Sequence, residues 1–198
     1  MNKAPLTLVP GQLELVRPPA PGQLELVRHF INTLNVEQGT DALAAPDSAA
    51  AWLRSYALAD KKLRLTPADV AWMREVREAL RGLARQNNAI PCPCDLEILD
   101  AASARGHLAL TFDRDGSSVL RPSASGVDGA IGSILAAVHQ AGLARTWSRL
   151  KICADDGCAW AFFDHSKNGC SRWCSAETCG NRNKVKRYRE RQAQAAAE

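Results

Sequence analysis

Four cysteines near the C-terminal end constrain this chain more than any other feature. Cys153 and Cys158 enclose four residues, Cys174 and Cys179 enclose four more, and fifteen residues separate the pairs. Each pair can sit on a tight turn that aims two sulphurs at one point, and the intervening loop is long enough to fold the second turn against the first. That is the requirement of a closed tetrahedral zinc site, with four soft thiolates about 2.3 Å from the metal. The pattern is close to the two-pair arrangement that reads as zinc, each knuckle being two residues wider.

Two simpler explanations of the cysteines fail. Disulfides belong to oxidising compartments, whereas the opening MNKAPLTLVPGQLELVR has no apolar run of signal-peptide length and no stretch of eighteen apolar residues follows. The seven cysteines are also odd in number, so a reduced, cytoplasmic protein is expected. Buried free cysteines would explain isolated positions, but not two equal spacings flanked by Gly157, Asn168, Gly169 and Gly180. The symmetric set Cys153, Cys158, Cys174 and Cys179 is therefore expected to hold one structural zinc ion. Cys170, beside the Asn168-Gly169 turn, reads as a spare thiol, and His165 as a polar loop residue.

Beyond the last cysteine the charge changes. From residue 182 to 191 there are six cations (Arg182, Lys184, Lys186, Arg187, Arg189 and Arg191) against the single acid Glu190. Residues 145–198 carry eleven Lys plus Arg against six Asp plus Glu, whereas the first 144 are nearly balanced at 14 against 15. The net charge of +4 thus resides in the C-terminal part, which suits a polyanion-binding end on a neutral body. Most residues here favour helix. Arg182, Lys186 and Arg189 would line one face and Lys184, Arg187 and Arg191 the adjoining one. Val185 and Tyr188, three apart, are expected to dock this helix on the zinc knuckle. Phosphates would meet the six cations, and Asn181, Asn183 and Arg172 are the expected base readers.

These residues carry a resemblance. Cys179-Gly180-Asn181-Arg182, preceded by Arg172-Trp173-Cys174-Ser175, by Ser166-Lys167-Asn168-Gly169 and by Cys153 and Cys158, resembles the CGNR zinc finger. That module closes a family of bacterial proteins described as stress-induced transcription regulators. The resemblance implies the same four zinc ligands. His165 and Cys170 stand where the family pattern leads one to expect a small hydroxyl residue and Ser or Thr. Upstream, His29-Phe30-Ile31-Asn32-Thr33-Leu34 resembles the start of the ABATE domain that precedes such fingers.

The rest of the chain reads as a helical body. Pro10–Arg17 recurs without change as Pro21–Arg28; two copies are too few for a solenoid, and the first reads as a surplus arm. Asp47 is positioned to cap a helix carrying Trp52, Leu53 and Tyr56. Thr66-Pro67 opens another, with Val70, Met73, Val76, Leu80 and Leu83 as its core stripe. Arg74, Arg77, Arg81 and Arg85 on that helix, interleaved with Glu75 and Glu78, read as a solvated, paired face. Cys92-Pro93-Cys94 offers two ligands and no partner pair, so it makes no metal site. A helix starts at Asp95, residues 107–120 form a hairpin, and residues 126–144 form an apolar helix whose His139 is structural. Trp160, Phe162, Phe163 and Trp173 are expected to form most of the small core around the metal.

The expected fold is mainly α (α+β): an arm over residues 1–22, a helical domain with one β-hairpin over 23–148, and a small four-cysteine finger ending in a basic helix over 149–198. The expected function is DNA-binding transcription regulation, with the body sensing a signal or forming a homodimer. An RNA- or protein-binding zinc module is the alternative. A zinc enzyme ranks last, because four thiolates leave the metal no open position.

Overall fold

Residues 18–88 and 94–195 are described by the computed structural model. The first repeat copy and Cys92 lie outside the described residues. Among these residues six α-helices run in chain order: α1 Leu24–Ile31, α2 Pro46–Ser55, α3 Pro67–Gln86, α4 Leu96–Arg105, α5 Gly126–Leu143 and α6 Asn181–Ala195. Three two-stranded antiparallel hairpins join them: β1 Leu34–Asn35 with β2 Thr40–Asp41, β3 Leu108–Phe112 with β4 Ser118–Pro122, and β5 Leu150–Ile152 with β6 Ala161–Phe163. The mainly α class is as expected, and β3–β4 is the expected hairpin. The other two have strands of two and three residues, too short for alternation to show in a sequence.

Local chemistry sets the helix starts. On α3, Asp69 N donates to Thr66 Oγ1 and Thr66 N donates back to Asp69 Oδ2, with Pro67 in the first turn. Val70, Met73, Val76 and Leu80 are buried as the stripe requires, and Leu83 is half-buried. On α2 the expected cap is corrected: Ala45 occupies the cap position and Asp47 lies in the first turn. Pro46 starts the helix one residue earlier, and Ala45 N donates to Ser48 Oγ. Later, α5 rides close on β4: a Cβ on Gly132 would lie 2.7 Å from Pro122 Cβ, so only glycine permits that approach.

The arginine face of α3 is also corrected. Arg77 and Arg81 are only 3% and 6% exposed. Arg77 Nη1 donates to Asp41 Oδ1 and Thr33 Oγ1. Arg81 Nη1 donates to Ala159 O, its Nη2 donates to Ile31 O, and its Nε donates to Glu78 Oε2. Each nitrogen of the Arg81 guanidinium thereby has an acceptor, which is what allows such a group to be buried. Ile31 closes α1, so Arg81 supplies the partner its terminal carbonyl lacks.

The finger's first hairpin is built into the body. Leu150, Ile152, Ala161 and Phe163 belong to the same buried cluster as Phe30, Met73, Val76 and Ile131. Two asparagines clamp its outer edges as if they were strands. Asn88 Nδ2 donates to Ile152 O and Ile152 N donates to Asn88 Oδ1. Asn32 Nδ2 donates to Ala161 O and Ala161 N donates to Asn32 Oδ1. The N-terminal body and the metal-bearing hairpin therefore share one core and one hydrogen-bonded frame.

A second polar cluster sits on α1. Glu25 accepts from Arg28, from His29 Nε2 and from Ala20 N, and the Tyr56 hydroxyl meets His29 Nδ1. Burial pushes the Glu25 carboxyl up, but the hydrogen bonds from Arg28 and His29 outweigh it and bring it down to about 2. Burial, with the Glu25 charge added, raises Tyr56 to about 12. A carboxyl depressed in the fold stabilises above its unfolded pKa, and that stability is lost as pH falls through the folded value. The wild-type protein should therefore lose about 3 kcal/mol between roughly pH 4.5 and pH 2 from this one group. Urea unfolding at pH 7 and pH 3 should show Glu25→Gln less stable at pH 7 and much less sensitive to acid.

Candidate metal centre and basic helix

Cys153 follows the last residue of β5, and its N donates to Trp160 O as the hairpin closes. Asp155 builds the first knuckle: Gly157 N donates to Asp155 Oδ1, while Cys158 N and Ala159 N donate to Asp155 O. The second knuckle is laid against it, with Ala154 N donating to Arg172 O and Cys174 N donating to Cys153 Sγ. From Ser175, whose Oγ accepts from Thr178 N, one π-helical turn over Ala176–Gly180 carries Cys179 inward and runs directly into α6.

The result is a four-sulphur cluster. The Sγ atoms of Cys153, Cys158, Cys174 and Cys179 all lie within 4.8 Å of one another, and all four residues are buried. Cys158 Sγ to Cys174 Sγ and Cys174 Sγ to Cys179 Sγ are both 3.6 Å. A tetrahedron with metal–sulphur bonds of about 2.3 Å has edges of about 3.8 Å, so the spacing fits zinc. None of the four is in a disulfide. Hydrogen bonds from the Cys158 and Cys174 thiols lower Cys153, while the same sharing raises Cys158 and Cys174. Four thiolates this close repel one another, and a divalent cation is what allows all four to ionise together.

The surroundings match the expectations in most respects. His165 is exposed, its ring beside Phe163 and its Nε2 beside Pro18 O, apart from the sulphurs. Cys170 is exposed and Cys94 accepts from Gln86 Nε2, so neither joins the cluster. Trp160 and Phe162 are buried with the cysteines and Trp173 packs on them, whereas Phe163 points into the body's core. The connecting loop is organised by buried Asp164, whose carboxylate accepts from Lys151 Nζ, Ser166 N and Ser171 N. Burial raises that carboxyl, yet these donors hold it well below the usual carboxylate range. His139 is exposed on α5.

The basic helix is a different matter. No residue of α6 is buried. Val185 and Tyr188 are 47% and 56% exposed, so they do not dock the helix on the knuckle. That role falls to polar groups. Asn183 Nδ2 donates to Asp155 Oδ2 and Cys179 O, and Asn181 Nδ2 donates to Glu177 O. Arg182 pairs with Asp155 at 3.3 Å and with Glu37 of the β1–β2 turn. Lys184, Arg187 and Arg191 instead line an open groove of about 520 Å³ against Trp173. Arg172 is exposed with its guanidinium 5.6 Å from the Trp173 ring centre. Lys186 and Arg189 are exposed as well. Asp155 and Glu37 escaped the sequence reading. The Asp155-Asp156-Gly157 turn signal could have marked the first, and no local signal marks the second.

The architecture is that of a helical body whose shared core carries a four-thiolate zinc finger. Residues 149–192 match the family described as "CGNR zinc finger", and residues 24–150 match the ABATE family, described as "Putative stress-induced transcription regulator". The chain belongs to that family, and its four clustered cysteines form the structural zinc centre of a CGNR finger. A search of curated proteins found no match to the chain. Among the described residues no helix is long and apolar enough to cross a membrane.

The sulphurs form a buried cluster separate from the main core, so losing the metal should unfold the knuckles and spare the body. Cys174→Ala should reduce zinc from one ion per chain to essentially none by elemental analysis, while Cys170→Ala keeps it. Near-full helical signal from α1 to α5 should persist in the Cys174→Ala protein.

Proposed function

We propose that the protein is a cytoplasmic DNA-binding transcription regulator in which zinc is structural and α6 is the DNA-contacting element. The observation that carries this reading is a 15-residue helix, launched from the last zinc ligand, with six cations and no buried residue. Such a helix is about 22 Å long and about 10–12 Å wide, which matches a major groove about 12 Å across. The metal supplies rigidity: it fixes the turn that aims α6, and no chemistry is asked of it. A catalytic zinc would need an open coordination position, and four buried thiolates argue for none. The helical body would sense a signal or hold two copies together.

The six cations are not equivalent in this reading. Arg182 is already shared between Asp155 and Glu37, so it serves mainly to brace the helix. Lys184, Arg187 and Arg191 face open solvent across the Trp173 groove and carry the larger share of phosphate contact.

A salt titration on duplex DNA should give a log–log slope of about −3 to −5 for four to six phosphate contacts. Arg187→Gln and Lys184→Gln should each weaken binding to any duplex and reduce the slope by about 1, with Arg182→Gln changing it less. Truncation after Gly180 should abolish binding while zinc is retained. No duplex binding at low salt would sink the proposal, and preference for single strands or RNA would replace it with an RNA-binding reading.

A further inference from the structure

Val185 and Tyr188 are two large apolar side chains on the outside of a helix that is otherwise polar except for Ala193 and Ala195, and packing does not account for them. A single exposed apolar residue needs no explanation. These two, with exposed Gln192, instead form one line along α6 at spacings of three and four residues.

Their position relative to the charges is the informative part. At about 100° per residue, Lys184, Arg187 and Arg191 centre on one flank of the helix, and Arg182, Lys186 and Arg189 on another roughly 165° away. The Val185–Tyr188–Gln192 line falls between them, about 95–100° from each. The acid Glu190 lies with Asn183 on the opposite side. Asn183 is also the residue that fixes the helix's rotation, since its amide donates to Asp155 and to Cys179 O in the knuckle. The neutral line is therefore turned away from the finger, between two cationic flanks.

We propose that Val185, Tyr188 and Gln192 form the base-contacting edge of α6, and that the preferred ligand is duplex DNA presenting A·T pairs in the major groove. This rests on the DNA-binding reading above and adds which side of the helix faces the bases. A helix lying in that groove has a phosphate strand on either side and base edges below, which is the charge order found here: cations, neutral line, cations. The chemistry matches thymine and adenine in particular. Valine methyls and the tyrosine ring pack on the thymine C5-methyl, and a glutamine amide pairs with adenine N6 and N7. Asn183, an expected base reader, is committed to holding the helix instead.

The test uses the full-length, zinc-loaded protein. Selection from a random duplex library should enrich an A·T-containing site. On that site Val185→Ala, Tyr188→Ala and Gln192→Ala should each lose roughly 5- to 100-fold in affinity. Their affinity for a scrambled duplex, zinc content and helical signal should stay unchanged. Replacing one thymine with uracil, which removes only the methyl group, should weaken the wild-type protein and leave Val185→Ala indifferent. Salt-dependent binding without any enriched sequence, or equal losses on selected and scrambled duplexes, would overturn this edge and leave phosphate binding by α6 standing. Sedimentation showing that these variants convert a dimer to a monomer would also overturn it, making the line a seam between two copies. Absence of all duplex binding would instead bring down the functional reading itself.

Discussion

Four sulphurs brought within 4.8 Å of one another hold the C-terminal end of this protein together. Around them, among the described residues, only Trp160, Phe162 and Trp173 provide apolar packing, too little for a module of this size to fold on hydrophobic burial alone. The metal closes a loop that side-chain packing could not close. Because Cys179 lies in the turn that becomes α6, closing that loop also sets where the helix starts and which way it points.

The finger is aimed from both ends. Its hairpin is fixed in the body by Asn32 and Asn88, by Arg81 on Ala159 O, and by the apolar residues it shares with α1, α3 and α5. At the far side Asp155 holds Asn183 and Arg182, and Glu37 reaches Arg182 from the β1–β2 turn. The exposed pairs are individually worth little, about 0–1 kcal/mol. Their effect is geometric: together with the shared core they fix where the knuckles and the start of the helix sit against the body.

What the sequence disclosed is what short-range chemistry decides. The zinc ligands were readable because two turns of fixed width must each present two sulphurs, and the start of α3 because Thr66, Pro67 and Asp69 settle it among themselves. The β3–β4 hairpin was readable from its alternation. The long-range contacts were not. Arg77 and Arg81 have acids at helical spacing and so look solvated, yet their partners Thr33, Asp41, Ile31 and Ala159 lie 36 to 78 residues away. Val185 and Tyr188 misled for the opposite reason. Apolar spacing says that two residues share a face, but not whether anything within the chain covers it. The Asn32-Thr33 pair, noticed only as part of a resemblance, proves to be a joint between the halves, Asn32 gripping β6 and Thr33 accepting from Arg77.

The asparagine clamps have a bearing on how the molecule behaves among its neighbours. A two-stranded ribbon ordinarily leaves a row of unpaired amides and carbonyls along each outer margin, an invitation to strand addition by any extended peptide. Here the outward N–H and C=O of Ile152 and of Ala161 end on side-chain amides from the helices. The ribbon that bears the metal ligands is thus stopped on each margin by a side-chain amide, which interrupts the ladder a foreign chain would extend.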